Sequence, residues 1–221
     1  MRAVNVGIVC LSLTVLSSGA ARSSTSDEKP RSLRGKHRIE LGIGLLSAVR
    51  TASEVEVGGI TTSSDVQGVI WKIAYAYHVE NDVAVGLSLG GLSFEATTSV
   101  SGSGVLTESA SVVHLLFGVK YQPSRFALGD AARPYVSASV GPYFGSASNV
   151  RVGTTISTQS LSETALGSRL GIGVDILLGR LFTLGVGFGY HVVSDFDSRI
   201  GSEKNYSSPE FGISFGIAFG G

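Results

Sequence analysis

Nine charged or histidine residues of this chain could take part in proton transfer, ion pairing or metal binding, and all lie where apolar and small residues alternate. They are Glu40, Lys72, His78, His114, Lys120, Arg169, Asp175, His191 and Glu210. Each lies on the face of the small residues, because strand side chains alternate between two faces. If that face is enclosed, its three basic and three acidic groups are expected to pair, since an unpaired buried charge costs several kcal/mol. We therefore predict a structural ion network of these six groups.

The three histidines of this set, His78, His114 and His191, lie in separate segments, at no spacing typical of metal ligands. We therefore predict no metal site. The chain also contains no HExxH motif, phosphate loop or dinucleotide fingerprint, so no cofactor is predicted. A selective pore lined by the charged groups is the alternative to the ion network.

The segment around His191 raises one enzyme hypothesis, with Ser194 as nucleophile and Asp195, Asp197 or Glu210 as the acid. This set faintly resembles that of the barrel-borne lipid A deacylases, in which the histidine and serine lie two residues apart and share a strand face. His191 and Ser194 are three residues apart, so in a regular strand they would point in opposite directions. We therefore predict no catalytic residues.

Eight segments with a period of two carry these groups. They cover approximately residues 39–45, 69–78, 83–94, 113–121, 136–144, 169–176, 182–191 and 209–219. One face of each segment has large apolar side chains and the other has mainly glycine, serine or alanine, which predicts strands. In the third segment the apolar residues change face at Gly90 and Gly91, so we predict a β-bulge there.

The connectors between the segments alternate in length. Long polar loops are predicted at about 49–66, 97–108, 146–163 and 194–206, and tight turns at 80–82 and 179–180. This alternation is typical of an up-and-down outer-membrane barrel, with short periplasmic turns and longer extracellular loops. The connector at 122–133 is longer than a periplasmic turn should be.

The apolar face must point outward if the eight segments close into a barrel. An eight-stranded interior is only just wide enough for side chains, so it could not hold all the large apolar residues. Charged residues make up only 15% of the chain, well below the roughly 25% typical of soluble domains. Aromatic residues also gather toward the two predicted rims, as interfacial girdles do. The predicted fold is therefore an all-β, eight-stranded antiparallel transmembrane barrel.

The first twenty residues form a separate unit. Arg2, an apolar stretch from Val4 to Leu16 and the small residues Ser18 to Ala20 predict a secretory signal peptide at residues 1–20. Residues 21–36 are polar and unpatterned, which predicts a flexible periplasmic tail, and the barrel is expected at 37–221. The one cysteine, Cys10, lies in the signal peptide, so the exported chain is expected to lack disulfides.

The charge balance excludes one class of partner. Without Arg2, 16 basic residues remain against 17 acidic ones, which gives no electrostatic basis for nucleic-acid binding.

Three stretches resemble the small outer-membrane barrel families of the outer membrane protein A transmembrane domain and outer membrane protein W. They are residues 133–143, residues 171–175 and the last strand ending in Phe219. The resemblance implies the outer membrane of a Gram-negative-type bacterium, lipid and lipopolysaccharide as surroundings, and assembly by the barrel-assembly machinery through the C-terminal strand. The implied role is structural or surface-interacting, with an extracellular ligand possible at the loops. Passage of small hydrophobic molecules, as outer membrane protein W implies, is the alternative.

Overall fold

The computed structural model describes residues 32–46, 55–57, 60–62, 68–100, 104–128, 131–152, 156–200 and 204–220. The predicted signal peptide and most of the predicted tail lie outside these ranges. The elements are β1 (His37–Leu46), β2 (Val55–Val57), β3 (Ile60–Thr62), β4 (Gly68–His78), β5 (Val83–Val100), β6 (Gly104–Tyr121), a 3-10 helix (Ser124–Phe126), β7 (Ala132–Val152), β8 (Ile156–Leu178), β9 (Phe182–Val193) and β10 (Ser208–Phe219).

Eight of these strands close into one antiparallel barrel in the order β1-β10-β9-β8-β7-β6-β5-β4, as predicted. Strand β1 closes the barrel because it pairs on one side with β10 and on the other with β4. His37 lies opposite both Phe219 and Tyr77 in these two ladders. Strands β2 and β3 form a separate two-stranded sheet.

The outer face of the barrel is apolar and exposed along its whole circumference. Ile43 is 70% exposed, Leu166 69% and Phe117 59%. Residues of the opposite parity face the lumen and are small or buried, as the alternation predicts. No helix among the described residues is long and apolar enough to cross a membrane.

The predicted outer loops at 97–108 and 146–163 are wrong. These segments are largely extensions of the barrel strands. The β5–β6 ladder continues to the pair Val100 and Gly104, and the β7–β8 ladder continues to Val152 and Ile156. The segments are rich in serine and threonine and alternate only weakly, so sequence patterning favoured loops over strands. The four strands from β5 to β8 contain 18 to 23 residues, about twice the 9–11 that a membrane crossing requires.

The predicted bulge at Gly90 and Gly91 is also wrong. Both ladders of β5 run through these residues without a skipped partner, with Trp71 opposite Gly91 and His114 opposite Gly90. The apolar pattern changes face because the lumen itself becomes apolar at this level, where Ile70 is buried. Glycine is needed at both positions, since a Cβ would lie 2.6 Å from the His114 ring at Gly90 and 2.7 Å from the Trp71 ring at Gly91.

We take the barrel end with the short turns as periplasmic, as in other outer-membrane barrels. This end holds the long connector and residues 32–36. The connector at 122–133 contains the 3-10 helix and a β-bridge between Leu128 and Ala132, which explains its length. Residues 32–36, which we assigned to the tail, pack against the β4–β5 turn. The backbone N–H of Arg34 donates to Asn81 Oδ1, and that of Gly35 to the His78 carbonyl oxygen.

Candidate functional site

The lumen is the candidate site, and its periplasmic half contains one cluster of buried charges. Asp175 is 1% exposed, and its Oδ2 accepts hydrogen bonds from Arg38 Nη1 at 2.8 Å, Lys120 Nζ at 2.7 Å and Gln122 Nε2 at 2.7 Å. Glu40 forms ion pairs with Arg38 and with Lys120, the latter at 3.3 Å. The two carboxylates therefore share the same two cations.

This periplasmic cluster connects strands that are not neighbours. Asp175 lies on β8, Arg38 on β1 and Lys120 on β6, so the ion pairs of Asp175 cross the lumen instead of following one ladder. The Lys120 ammonium also lies 4.0 Å from the centre of the Tyr135 ring. Side chains of these four residues thus extend into the lumen at this level.

A second cluster lies toward the outer end, around Glu210. Its Oε2 accepts a hydrogen bond from Arg169 Nε at 2.6 Å and pairs with His191 Nε2 at 2.9 Å. The other ring nitrogen of His191, Nδ1, is 2.8 Å from the Tyr143 hydroxyl. His114 packs against this group with its ring centre 5.4 Å from that of His191.

Five of the six predicted charged residues form ion pairs in these two clusters, and Lys72 lies between the clusters. Its electrostatic neighbours are Glu40 and Lys120 on one side and Arg169 and Glu210 on the other. A cavity of about 100 Å³ adjoins it.

The three predicted histidines divide between the two ends. His78 belongs to the periplasmic half, where its ring nitrogens contact Gln122 Oε1 and the Lys36 carbonyl oxygen, both at 3.4 Å. His114 and His191 belong to the outer cluster. Within the described ranges, no group of three or more His, Cys, Asp or Glu could hold a metal ion.

The proposed pairing of His191 with Ser194 does not occur. The His191 ring faces the lumen, whereas the Ser194 hydroxyl accepts a hydrogen bond from the backbone N–H of Leu166 at 3.2 Å. The alternation that separates positions three apart in a strand accounts for this arrangement.

Sequence reasoning missed four residues of the site. They are Arg38, Gln122, Arg133 and Tyr143. Arg38 has the same parity as Glu40 and could have been included with it. Gln122 and Arg133 flank the irregular connector, where residues do not alternate, so neither could be assigned to the lumen face. Tyr143 follows a proline that interrupts the alternating pattern.

Above the charged clusters, an apolar cap fills the outer end of the lumen. It consists of the buried residues Leu46, Ile70, Ala110, Val112, Leu116, Tyr143, Ala147, Ala165, Val193, Phe196 and Ile200. Phe196 and Ile200 come from the β9–β10 connector, which folds inward over the barrel. The backbone N–H of Ser198 donates to Glu163 Oε2 at 3.0 Å and ties this connector to β8.

Comparison with known proteins agrees with this architecture. Residues 8–219 match the family model of the outer membrane protein beta-barrel domain, and the chain belongs to that family. It is therefore an outer-membrane β-barrel protein. A comparison with curated proteins found no match.

Solved structures of small outer-membrane barrels are similar in fold. Ail of Yersinia pestis, in complex with the heparin analogue sucrose octasulfate, has 17% identity and a TM-score of 0.53, over 84% of this chain and 99% of Ail. A major outer membrane protein of Thermus thermophilus has 15% identity and a TM-score of 0.53, over 83% and 99% of the two chains. OprG of Pseudomonas aeruginosa has 13% identity and a TM-score of 0.50, over 86% and 98%.

Proposed function

We propose that this protein is a non-catalytic outer-membrane component whose lumen is closed by ion pairs and whose outer end makes contacts outside the cell. The observation that carries the proposal is the set of bonds that Asp175 accepts from Arg38 and Lys120 on non-neighbouring strands. We expect these bonds across the lumen to close the path at that level. The apolar cap is a second barrier in series with them.

The outer end is the part available for partners. Ail, which shares the fold, has been solved with a heparin analogue. By analogy, we propose that the outer hairpins and connectors of this chain contact an extracellular ligand, while the barrel wall contacts lipid and lipopolysaccharide. Strand β10, which ends at Phe219, is the proposed signal for the barrel-assembly machinery.

The alternative function, passage of small hydrophobic molecules, has less support. It needs an opening near Gly90 and Gly91, but the strand ladders are continuous there and the Trp71 ring covers Gly91. A lipid A deacylase activity is disfavoured because the Ser194 hydroxyl bonds to the β8 backbone and His191 bonds to Glu210.

Planar-bilayer recording tests the closed lumen. The refolded protein is expected to show no large, stable conductance, whereas Glu40→Ala is expected to conduct because it frees Arg38 and Lys120 from one of their carboxylates. The matched control is Glu80→Ala, since the Arg34–Glu80 pair is exposed, with an N···O distance of 3.9 Å. Stable conductance from the unmodified protein would refute the closed lumen.

The N-terminal organisation is part of the proposal. We propose that residues 1–20 are removed on export and that residues 21–36 precede the barrel. Mass spectrometry of the protein extracted from outer membranes should give an N-terminus at Ala21. An N-terminus at Met1 would contradict it.

A further inference from the structure

The lumen contains a cavity with a mixed polar and apolar lining between its two ion-pair clusters. The cavity measures about 100 Å³, room for about three molecules the size of water. Its polar lining consists of Glu40, Lys72, Ser88, Lys120, Tyr135, Ser137, Ser139 and Arg169. On the other side of Lys72, a smaller cavity of about 20 Å³ is lined by Arg169 and Glu210.

The charges around this cavity do not balance. The two clusters and Lys72 together contain four cations and three carboxylates. The cations are Arg38, Lys72, Lys120 and Arg169, and the carboxylates are Glu40, Asp175 and Glu210. Arg133, which is also buried, lies opposite Asp175 in the β7–β8 ladder and adds a fifth cation. Cations therefore outnumber carboxylates in the lumen, and an uncompensated charge in a poorly hydrated interior is costly.

The carboxylates are already engaged with the other cations. Asp175 accepts from Arg38 and Lys120, and Glu210 from Arg169. Arg169 uses Nε for this bond, so its two terminal nitrogens point elsewhere. They lie over Gly171 and Gly189, where a Cβ would come within 2.9 Å and 2.7 Å of them. The absence of side chains at these glycines makes room for the guanidinium at the cavity wall.

We propose that this cavity binds one small inorganic anion of about the size of chloride, between Lys72 and Arg169. The excess of cations favours an anion, and the cavity volume of about 100 Å³ excludes most organic anions. Glu40 and Glu210 both lie near Lys72, so the anion is expected between these two carboxylates, against the Lys72 ammonium and the terminal nitrogens of Arg169. The site does not depend on whether the lumen conducts.

Anion-dependent unfolding at constant ionic strength tests the site. The refolded full barrel is unfolded by urea in lipid vesicles while chloride replaces gluconate, which is too large for the cavity. Above the dissociation constant, each tenfold rise in chloride should lower the unfolding equilibrium constant about tenfold, as expected for one site. Lys72→Met should abolish this dependence. Lys204→Met, which removes the same charge from an exposed position, should preserve it.

Two results would overturn the proposal: equal stability in chloride and gluconate, or a chloride dependence that survives Lys72→Met. If Lys72→Met does not fold, a crystal structure of the unmodified protein grown in bromide tests the site instead. Anomalous density between Lys72 and Arg169 supports the site, and a cavity without it refutes the site. Bilayer recording tests the closed lumen separately, so either proposal can fail alone.

Discussion

Replacing Asp175 with Ala removes the carboxylate that accepts hydrogen bonds from Arg38, Lys120 and Gln122. Removing one partner of a buried ion pair costs about 3–5 kcal/mol, because the remaining charge stays buried. Glu40 still pairs with Arg38 and Lys120 in this variant, which places the expected loss near the lower bound, about 3 kcal/mol. Urea unfolding in lipid vesicles, followed by the fluorescence of Trp71, the only tryptophan, measures this loss directly.

A matched control and a double variant separate the ion pairs from other effects. Asp197→Ala removes an exposed aspartate and should change stability by no more than about 0.5 kcal/mol. Combining Asp175→Ala with Arg38→Met should cost less than the sum of the two single changes, because the second change removes a stranded charge. Equal losses for Asp175→Ala and Asp197→Ala, or simple additivity in the double variant, would refute this reasoning.

Two further predictions concern the wall of the barrel. Phe188→Arg places a charge on the lipid-facing side of β9 and should lower the free energy of unfolding by about 2–4 kcal/mol in vesicle refolding titrations. The control Ser160→Arg lies beyond the membrane and should cost little. Similar losses for both variants would mean that the faces are misassigned. Gly141→Ala pushes a methyl group into the Leu115 carbonyl oxygen and should lower the free energy of unfolding by about 1–3 kcal/mol. The control Gly42→Ala meets neighbours only at 3.4 Å and should be nearly neutral. An unchanged urea midpoint for Gly141→Ala would contradict the close approach of β6 and β7.

Strand number, strand faces and the residues of the lumen were predictable because lipid outside and a narrow lumen inside impose the same period of two on every strand. The pairing partners were not predictable, since they depend on stagger between distant strands. No local pattern indicates that Asp175 on β8 meets Arg38 on β1. The cap was missed for a related reason: Phe196 and Ile200 lie in a polar connector, and only the folded connector places them inside the barrel.

The length of β7 and β8 determines where outside contacts can be made. At about 3.4 Å per residue and a tilt of about 40°, the 23 residues of β8 span roughly 60 Å along the membrane normal. The apolar band of such barrels is about 25 Å tall, so much of this ladder stands above the lipid. A hydrogen-bonded ladder resists bending far better than an unpaired loop of equal length. The outer end of the ladder, at Val152 and Ile156, is therefore held at a fixed height, and a partner could meet it without touching the membrane surface.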